Sequence, residues 1–317
     1  MAIITSPSTT AAAVLHSLSP ILLEPPTPDF NYHMGASHDS LPAGEGNIRR
    51  FVKRENLLPA TTPLGLTEPN PQIQRDTFID AEMQMYGTSI IFNSQVIIHN
   101  QQPMLAMGME SLGVCMRQSE DLILRQFLLS TTSFYNCQNG SNGDIPTELT
   151  YVDASVVSSI LRTANAQRIF SGIEGDLKFG TSPIRESYLM FANTLLQPTL
   201  DVIPEYKNAL NYPYPKEATY AEMGSLANLR IMGSSQSAMF PGSSLNGRDV
   251  FVNVTCGRNA FFQISQDGWG MKIQYLPPEF SGPIGLNCSL GLSFFQAQAI
   301  SQSTWLIKVN CTSKYNY

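Results

Sequence analysis

Between Gln72 and Gly87 apolar and polar side chains alternate. Ile73, Thr77, Ile79, Ala81, Met83 and Met85 take one set of positions, and Gln72, Gln74, Asp76, Asp80, Glu82 and Gln84 the other. Only Arg75 and Phe78 break the pattern. Successive residues of a strand point to opposite faces, so this alternation predicts a half-buried strand of roughly 45 Å at about 3.3 Å per residue. Upstream, "IRRFVKRENL" reads as an extended basic segment carrying Arg49, Arg50, Lys53 and Arg54. The linker between them, Leu58 to Pro71, is "LPATTPLGLTEPNP", whose prolines remove backbone donors and disfavour helix. The expectation is a long projecting hairpin over residues 48–86, with Pro63, Gly65, Pro69 and Pro71 at its tip. Its arms carry opposite charge, so the basic groups are expected to pair with Asp76, Asp80 and Glu82, within the hairpin or on a neighbour's hairpin. Gly87 permits a bend or bulge before the next apolar run, "SIIFNSQVII".

The period then changes. Leu105, Met109, Leu112, Met116, Ile123 and Phe127 recur at helical spacing after Pro103, which suits a first helical position. Residues 103–129 are therefore expected to form a helix of roughly 40 Å at 1.5 Å per residue, long enough to need a sheet or another long element beneath it. Cys137 to Glu148 reads as a loop, and a second helix is expected from Asp153 as N-cap to about Ile169. "SYLMFAN" and "NLRIMGSS" read as strands, with broken helix and loop between them. The last 70 residues read as five strands: "DVFVNVTC", "AFFQIS", "MKIQYLP", "LGLSFFQAQAIS" and "TWLIKVNCTS". Residues 1–47 combine a short helix over Thr9–Leu18 with a Pro/Gly/Ser-rich stretch that reads as an extended arm or a disordered tail. The inventory is α+β, with an arm and a hairpin leaving the body.

Composition adds one point. Only 14% of the 317 residues are charged, against about 25% in ordinary domains. Either much of the surface is covered by partners, or the protein is a neutral, Ser/Asn-rich soluble one. The net charge of -6 argues against a dedicated nucleic-acid binder and leaves room for loose contact on one face. There is no apolar run of transmembrane length and no positive n-region of a secretory signal. Five cysteines at long spacings, without a C-x-x-C pair, suggest neither a zinc site nor a disulfide framework. Sequons stand at Asn139, Asn253, Asn287 and Asn310.

No catalytic constellation emerges. His16, His33, His38 and His99 are scattered, and neither H-E-x-x-H, G-x-S-x-G nor a Walker loop is present. "GWG", Gly268 to Gly270, reads as a hairpin turn, and "NGSNGD" lacks calcium-loop spacing. Glu110, Glu120 and Asp121 read as a solvated or interface-facing edge of the long helix. The sequence offers no enzyme and implies no cofactor or metal.

Taken in order, these segments resemble the major capsid proteins of the enquatrovirus-like podoviruses (the schitovirus group). "FVKRENLLPATTPLGLTEPNPQIQ" followed by "AEMQMYGTSIIF" is similar to that family's basic strand, "NPLP-x-TTPL-TEG"-like stretch and "QYGD"-like corner, here Met85-Tyr86-Gly87-Thr88. "YAEMGSLANLRIMGSSQS", "FVNVTCGRNAFFQIS" and "GPIGLNCSLGLSFFQAQAISQSTWLIKVNCTS" resemble its later segments, so the likeness runs over roughly residues 48–315. It implies the Hong Kong 97-type capsid fold. The parts would be an N-terminal arm (1–47), an E-loop hairpin (48–86), a peripheral domain (87–179) with a spine helix (103–129), an axial domain (180–265) and strands returning to the peripheral domain (266–317). It also implies hexamers and pentamers of an icosahedral shell around packaged double-stranded DNA. A portal and scaffolding or decoration proteins would be partners, and assembly would take place in the host cytoplasm. Arg49, Arg50, Lys53, Arg54, Asp76, Asp80 and Glu82 are the expected subunit-interface residues. The alternative, motivated by the sequons, is an extracellular β-rich adhesin or receptor-binding glycoprotein.

Overall fold

The computed structural model describes residues 27–61, 71–93, 97, 104–172, 185–212, 218–244, 247–277 and 286–315. A 3-10 turn (Tyr32–Gly35) precedes strands β1 (Ser37–Leu41), β2 (Ile48–Arg54), β3 (Asp76–Glu82) and β4 (Gln84–Asn93). Helix α1 (Met104–Leu129) follows, then β5 (Phe134–Gln138), β6 (Ser141–Asn142) and α2 (Tyr151–Thr163). Next come β7 (Tyr188–Asn193), the short α3 (Gln197–Asp201), β8 (Lys207–Asn208), β9 (Glu222–Leu226), β10 (Leu229–Ser234) and β11 (Ala238–Phe240). The chain closes with β12 (Val250–Cys256), β13 (Phe261–Gln266), β14 (Lys272–Leu276), β15 (Asn287–Ile300) and β16 (Leu306–Thr312).

Two sheets organise these elements. The larger runs β6-β5-β16-β12-β7-β10-β9-β8, with β11 beside β12. Every residue of β7, β10 and β12 is buried, in keeping with their largely apolar sequences, and Arg230, Asn253 and Thr255 are buried polar exceptions. The smaller sheet is centred on β15. β4 pairs along one edge of β15 (residues 287–296), while β14 and β13 pair in succession along the other (289–293 and 296–300), with β1 outside β13. β13 and β14 thus lie end to end, and "GWG" is a turn without a hairpin. Gly268 takes φ 72° and the Trp269 N–H bonds Gln266 O.

β15 buries Cys288, Leu290, Leu292 and Phe294, then switches parity to Ala297 and Ala299. Opposite parity means opposite faces. Leu290, Leu292 and Phe294 of the first set pack with Leu112 and Met116 of α1, and the second set with Leu41, Ala81, Met83 and Ile264. α1 therefore covers one face of this sheet and the base of the β2–β3 hairpin covers the other. The C-terminal half of α1 packs Leu124 and Leu128 against Tyr32, Phe191 and Val254, so one helix bridges both sheets.

Several expectations need correction. The alternating strand is not one 45 Å element: it breaks at Met83, whose N–H bonds Asn47 O (2.8 Å). Gly87 makes no bend. It sits inside β4, where a Cβ would stand 2.8 Å from Leu292 O across the ladder. On α1 Met109 is exposed, and the buried stripe passes through Leu124 and Leu128, because the helix changes partners halfway. The N-cap of the second helix is Thr150, with Asp153 at N3 completing a capping box, and the helix ends at Thr163. Cys137–Glu148 holds the β5–β6 hairpin, turned by Asn139 (φ 51°) and Gly140 (φ 93°), the two positive angles of a type I′ turn. Part of the expected arm belongs to the body, since Asn31 and Tyr32 are buried and β1 pairs β13. The larger sheet takes in β5, β6 and β16 as well as β7 to β12, and β13 joins the smaller one. The helix over Thr9–Leu18 lies outside the described residues.

Candidate subunit interface

The β2–β3 ribbon is a register of seven pairs from Ile48↔Glu82 to Arg54↔Asp76. Arg49↔Ala81, Phe51↔Ile79 and Lys53↔Thr77 belong to the inward-facing set, and Phe51 stacks on Phe262 of the sheet at 4.7 Å. Ile48↔Glu82, Arg50↔Asp80, Val52↔Phe78 and Arg54↔Asp76 face outward. Burial follows the alternation only at the base, through Ile79, Ala81 and Met83; Ile73 and Met85 are exposed. Beyond β2 and β3 the arms stay in step. Glu55 N–H bonds Arg75 O, and the Gln72 amide clamps Leu58 through its N–H (2.8 Å) and C=O (3.0 Å). Pro71 is exposed, whereas Pro63, Gly65 and Pro69 lie outside the described residues.

All four basic groups have partners within the chain. Arg50 makes a bidentate pair with Asp80 (2.7 and 2.8 Å), which holds that carboxyl below its usual range, and Arg54 pairs with Asp76 (3.2 Å). Arg49 reaches Asp39 of β1 (3.0 Å), and Lys53 donates to the side-chain amide oxygen of Gln302. Glu82 accepts from the Asn47 amide (3.5 Å). The charges thus set the ribbon's own register and tie its base to the body.

What the ribbon leaves unsatisfied is apolar. Val52 and Phe78 are each 60% exposed, with the Arg50 guanidinium 5.4 Å from the Phe78 ring. Leu58 is 77% and Ile73 82% exposed toward the tip. A solvated strand face is ordinarily polar, and a two-stranded ribbon is marginal on its own. Sequence reasoning missed these residues although the signal was present, since Phe78 is one of the two positions that break the alternation. A second apolar edge lies on β14, exposed along its whole length. There Ile273, Tyr275 and Leu276 adjoin Trp269, which stands edge-on to Phe295 (5.9 Å) beneath Lys272.

Among the described residues no three His, Cys, Asp or Glu side chains are grouped to hold a metal. Asp121, expected on an exposed edge, is instead buried in α1 and accepts the Tyr32 N–H (3.0 Å); burial raises its carboxyl to about 6. Glu120 accepts from the Gln263 amide, and burial lowers the His33 imidazole. His16 and His99 lie outside the described residues.

No protein-family model matches the chain, and no curated protein matches it. Solved structures do. The capsid of Ralstonia phage GP4 matches with a TM-score of 0.63 at 10% identity, covering 100% of both chains. The acidic stable capsid structure of Helicobacter pylori bacteriophage KHP30 matches at 0.65 and 9% identity, covering 98% of this chain and 99% of that one. The head structure of Helicobacter pylori bacteriophage KHP40 matches at 0.63 and 11%, covering 99% and 98%. The fold is the one these capsid chains share, α+β and of the Hong Kong 97 type.

Proposed function

We propose that this chain is a major capsid protein of a tailed double-stranded DNA phage, self-assembling through hexamers and pentamers into an icosahedral shell. The observation that carries the reading is end-to-end likeness to phage capsid chains, in a molecule whose projecting ribbon exposes the Val52–Phe78 pair. The mechanism is geometric. The ribbon lays its apolar face on a neighbouring subunit, where fully burying a Val or Phe side chain contributes about 1.5–3 kcal/mol. Many such contacts multiply through repeated valency around closed symmetry. The interface role moves from the ionic groups to the apolar ones. Arg49, Arg50, Lys53, Arg54, Asp76, Asp80 and Glu82 hold the ribbon in shape, and Ile48, Val52, Phe78 and the tip supply the contact.

In this reading the five-stranded sheet with α1 forms the peripheral domain and the larger sheet the axial domain, which draws on residues either side of 180–265. The resemblance to the enquatrovirus-like (schitovirus) group rests on the order of the sequence motifs and belongs to the proposal. So do portal, scaffolding or decoration partners, contact with packaged DNA, assembly in the host cytoplasm and the absence of a catalytic role. No observation favours the adhesin alternative. Of the four sequon asparagines, Asn253 is fully buried and Asn310 bonds Asn136 within the larger sheet, while Asn139 and Asn287 are exposed. Deleting residues 60–72 tests the reading by light scattering. It is expected to leave a folded subunit with the wild-type circular dichroism spectrum that no longer forms large particles; particles of unchanged size would refute the role of the ribbon.

A further inference from the structure

At the end of α2 the chain turns through Asn165 (φ 56°), and the stretch from there to Ser171 walls an open cleft of about 580 Å3. Arg162, Arg168 and Arg258 line it, with Glu186 as the one carboxylate among the lining residues. Glu186 is taken by Arg168 (2.5 Å). Arg162 and Arg258 have no carboxylate or side-chain hydrogen-bond partner among the described residues.

A helix C-terminus usually offers carbonyls that would absorb such cations. Here most of those carbonyls already accept one bond from elsewhere. Ile160, Leu161 and Arg162 take the N–H groups of Ala164, Ala166 and Asn165. Ala164 takes the Trp305 indole (2.9 Å), Ala166 the Tyr188 hydroxyl (3.1 Å) and Gln167 the Arg258 N–H (2.8 Å). Two guanidiniums, each with five N–H donors in a planar fork, thus line an open cleft without a side-chain acceptor partner among the described residues. The whole chain is acidic, with a net charge of -6, so this concentration of cations runs against its overall charge. Planar forks match the paired oxygens of a phosphate group.

We propose that this cleft binds a phosphate oxyanion, as presented by the phosphodiester backbone of a nucleic-acid strand. The site is a property of the single subunit and does not depend on shell assembly.

The test is fluorescence anisotropy of a short labelled single-stranded DNA with dispersed full-length protein over a range of salt. Arg162→Ala/Arg258→Ala is compared with a charge-matched control, Arg117→Ala/Lys314→Ala. Circular dichroism confirms that each is folded. The cleft variant is expected to bind roughly tenfold or more weakly at low salt, with a log–log salt slope shallower by about 1.4 for two lost contacts on a single strand. The control is expected to bind like wild type. Displacement of the DNA by millimolar inorganic phosphate would identify any phosphate oxyanion as ligand; resistance to it would identify the polymer backbone. Absence of binding by wild type, or equal weakening in cleft variant and control, would overturn the proposal. Because binding is read on dispersed subunits, its failure is distinct from a failure to form shells.

Discussion

Val52 and Phe78 lie directly opposite each other on the outward face of the β2–β3 ribbon, and both are 60% exposed. Cross-strand apolar partners ordinarily stabilise a sheet by covering one another and a core. Here they are covered only in part within their own subunit, by each other and by Arg50. Val52→Ser/Phe78→Ser is accordingly expected to change stability by no more than about 0.5 kcal/mol, seen as an unshifted denaturation midpoint. The same variant is expected to lose most particle formation in light scattering. Loss of folding would instead assign the pair a role inside the subunit.

The ionic groups of the ribbon should behave in the opposite way to the buried pair of the larger sheet. Glu222 accepts from Arg230 (2.7 and 2.8 Å), from the Tyr212 hydroxyl (2.5 Å) and from the Thr219 N–H (2.9 Å). Arg230 lies over the Phe170 ring at 4.4 Å. Glu222→Gln removes the carboxylate charge that faces this buried cation and is expected to cost about 3–5 kcal/mol. Arg50→Ala, which breaks an exposed pair, is expected to be nearly neutral for stability. Chemical denaturation of both variants measures the contrast.

Asp121 makes stability depend on pH. Its folded-state carboxyl is raised from 3.8 to about 6 by burial, so its contribution is full below about 4 and is lost as pH rises through 6. Glu120 acts in the same direction and Arg125 against it, while His33 titrates nearby. Asp121→Asn keeps an acceptor for the Tyr32 N–H but cannot ionise. Between pH 5 and 8 the variant should gain on wild type by about 1.4 kcal/mol, roughly half of what the full shift carries, the rest falling below pH 5. Melting curves of both proteins across that range check it, and parallel curves would count against it.

Gly87→Ala tests the close approach of β4 to β15. A Cβ there meets Leu292 O at 2.8 Å, and the ladder must open to admit it. A loss of about 1–3 kcal/mol is expected, as for overpacking elsewhere, read from the denaturation midpoint.

Much of the local structure was legible because it is written in periodicity. The basic strand, α1 and the five C-terminal strands all form near their expected positions, since a strand or helix buries whichever face its own spacing makes apolar. The assembly of those pieces was not legible. Whether β16 pairs β12 or joins β15 depends on partners far away in sequence, as does the switch of α1 from Leu112 to Leu124 as its buried residue. Asp121 looked like a surface acid because the turn at Tyr32 that buries it lies 89 residues away. Thr150 could have been found from its capping box with Asp153. Phe78 was visible as an anomaly, but its exposure depends on how far the ribbon stands clear of the sheet.

Electron microscopy of concentrated purified protein tests the central claim most directly. The account predicts closed shells, tubes or hexameric capsomers. A monodisperse monomer that persists at high concentration and across salt conditions would contradict it.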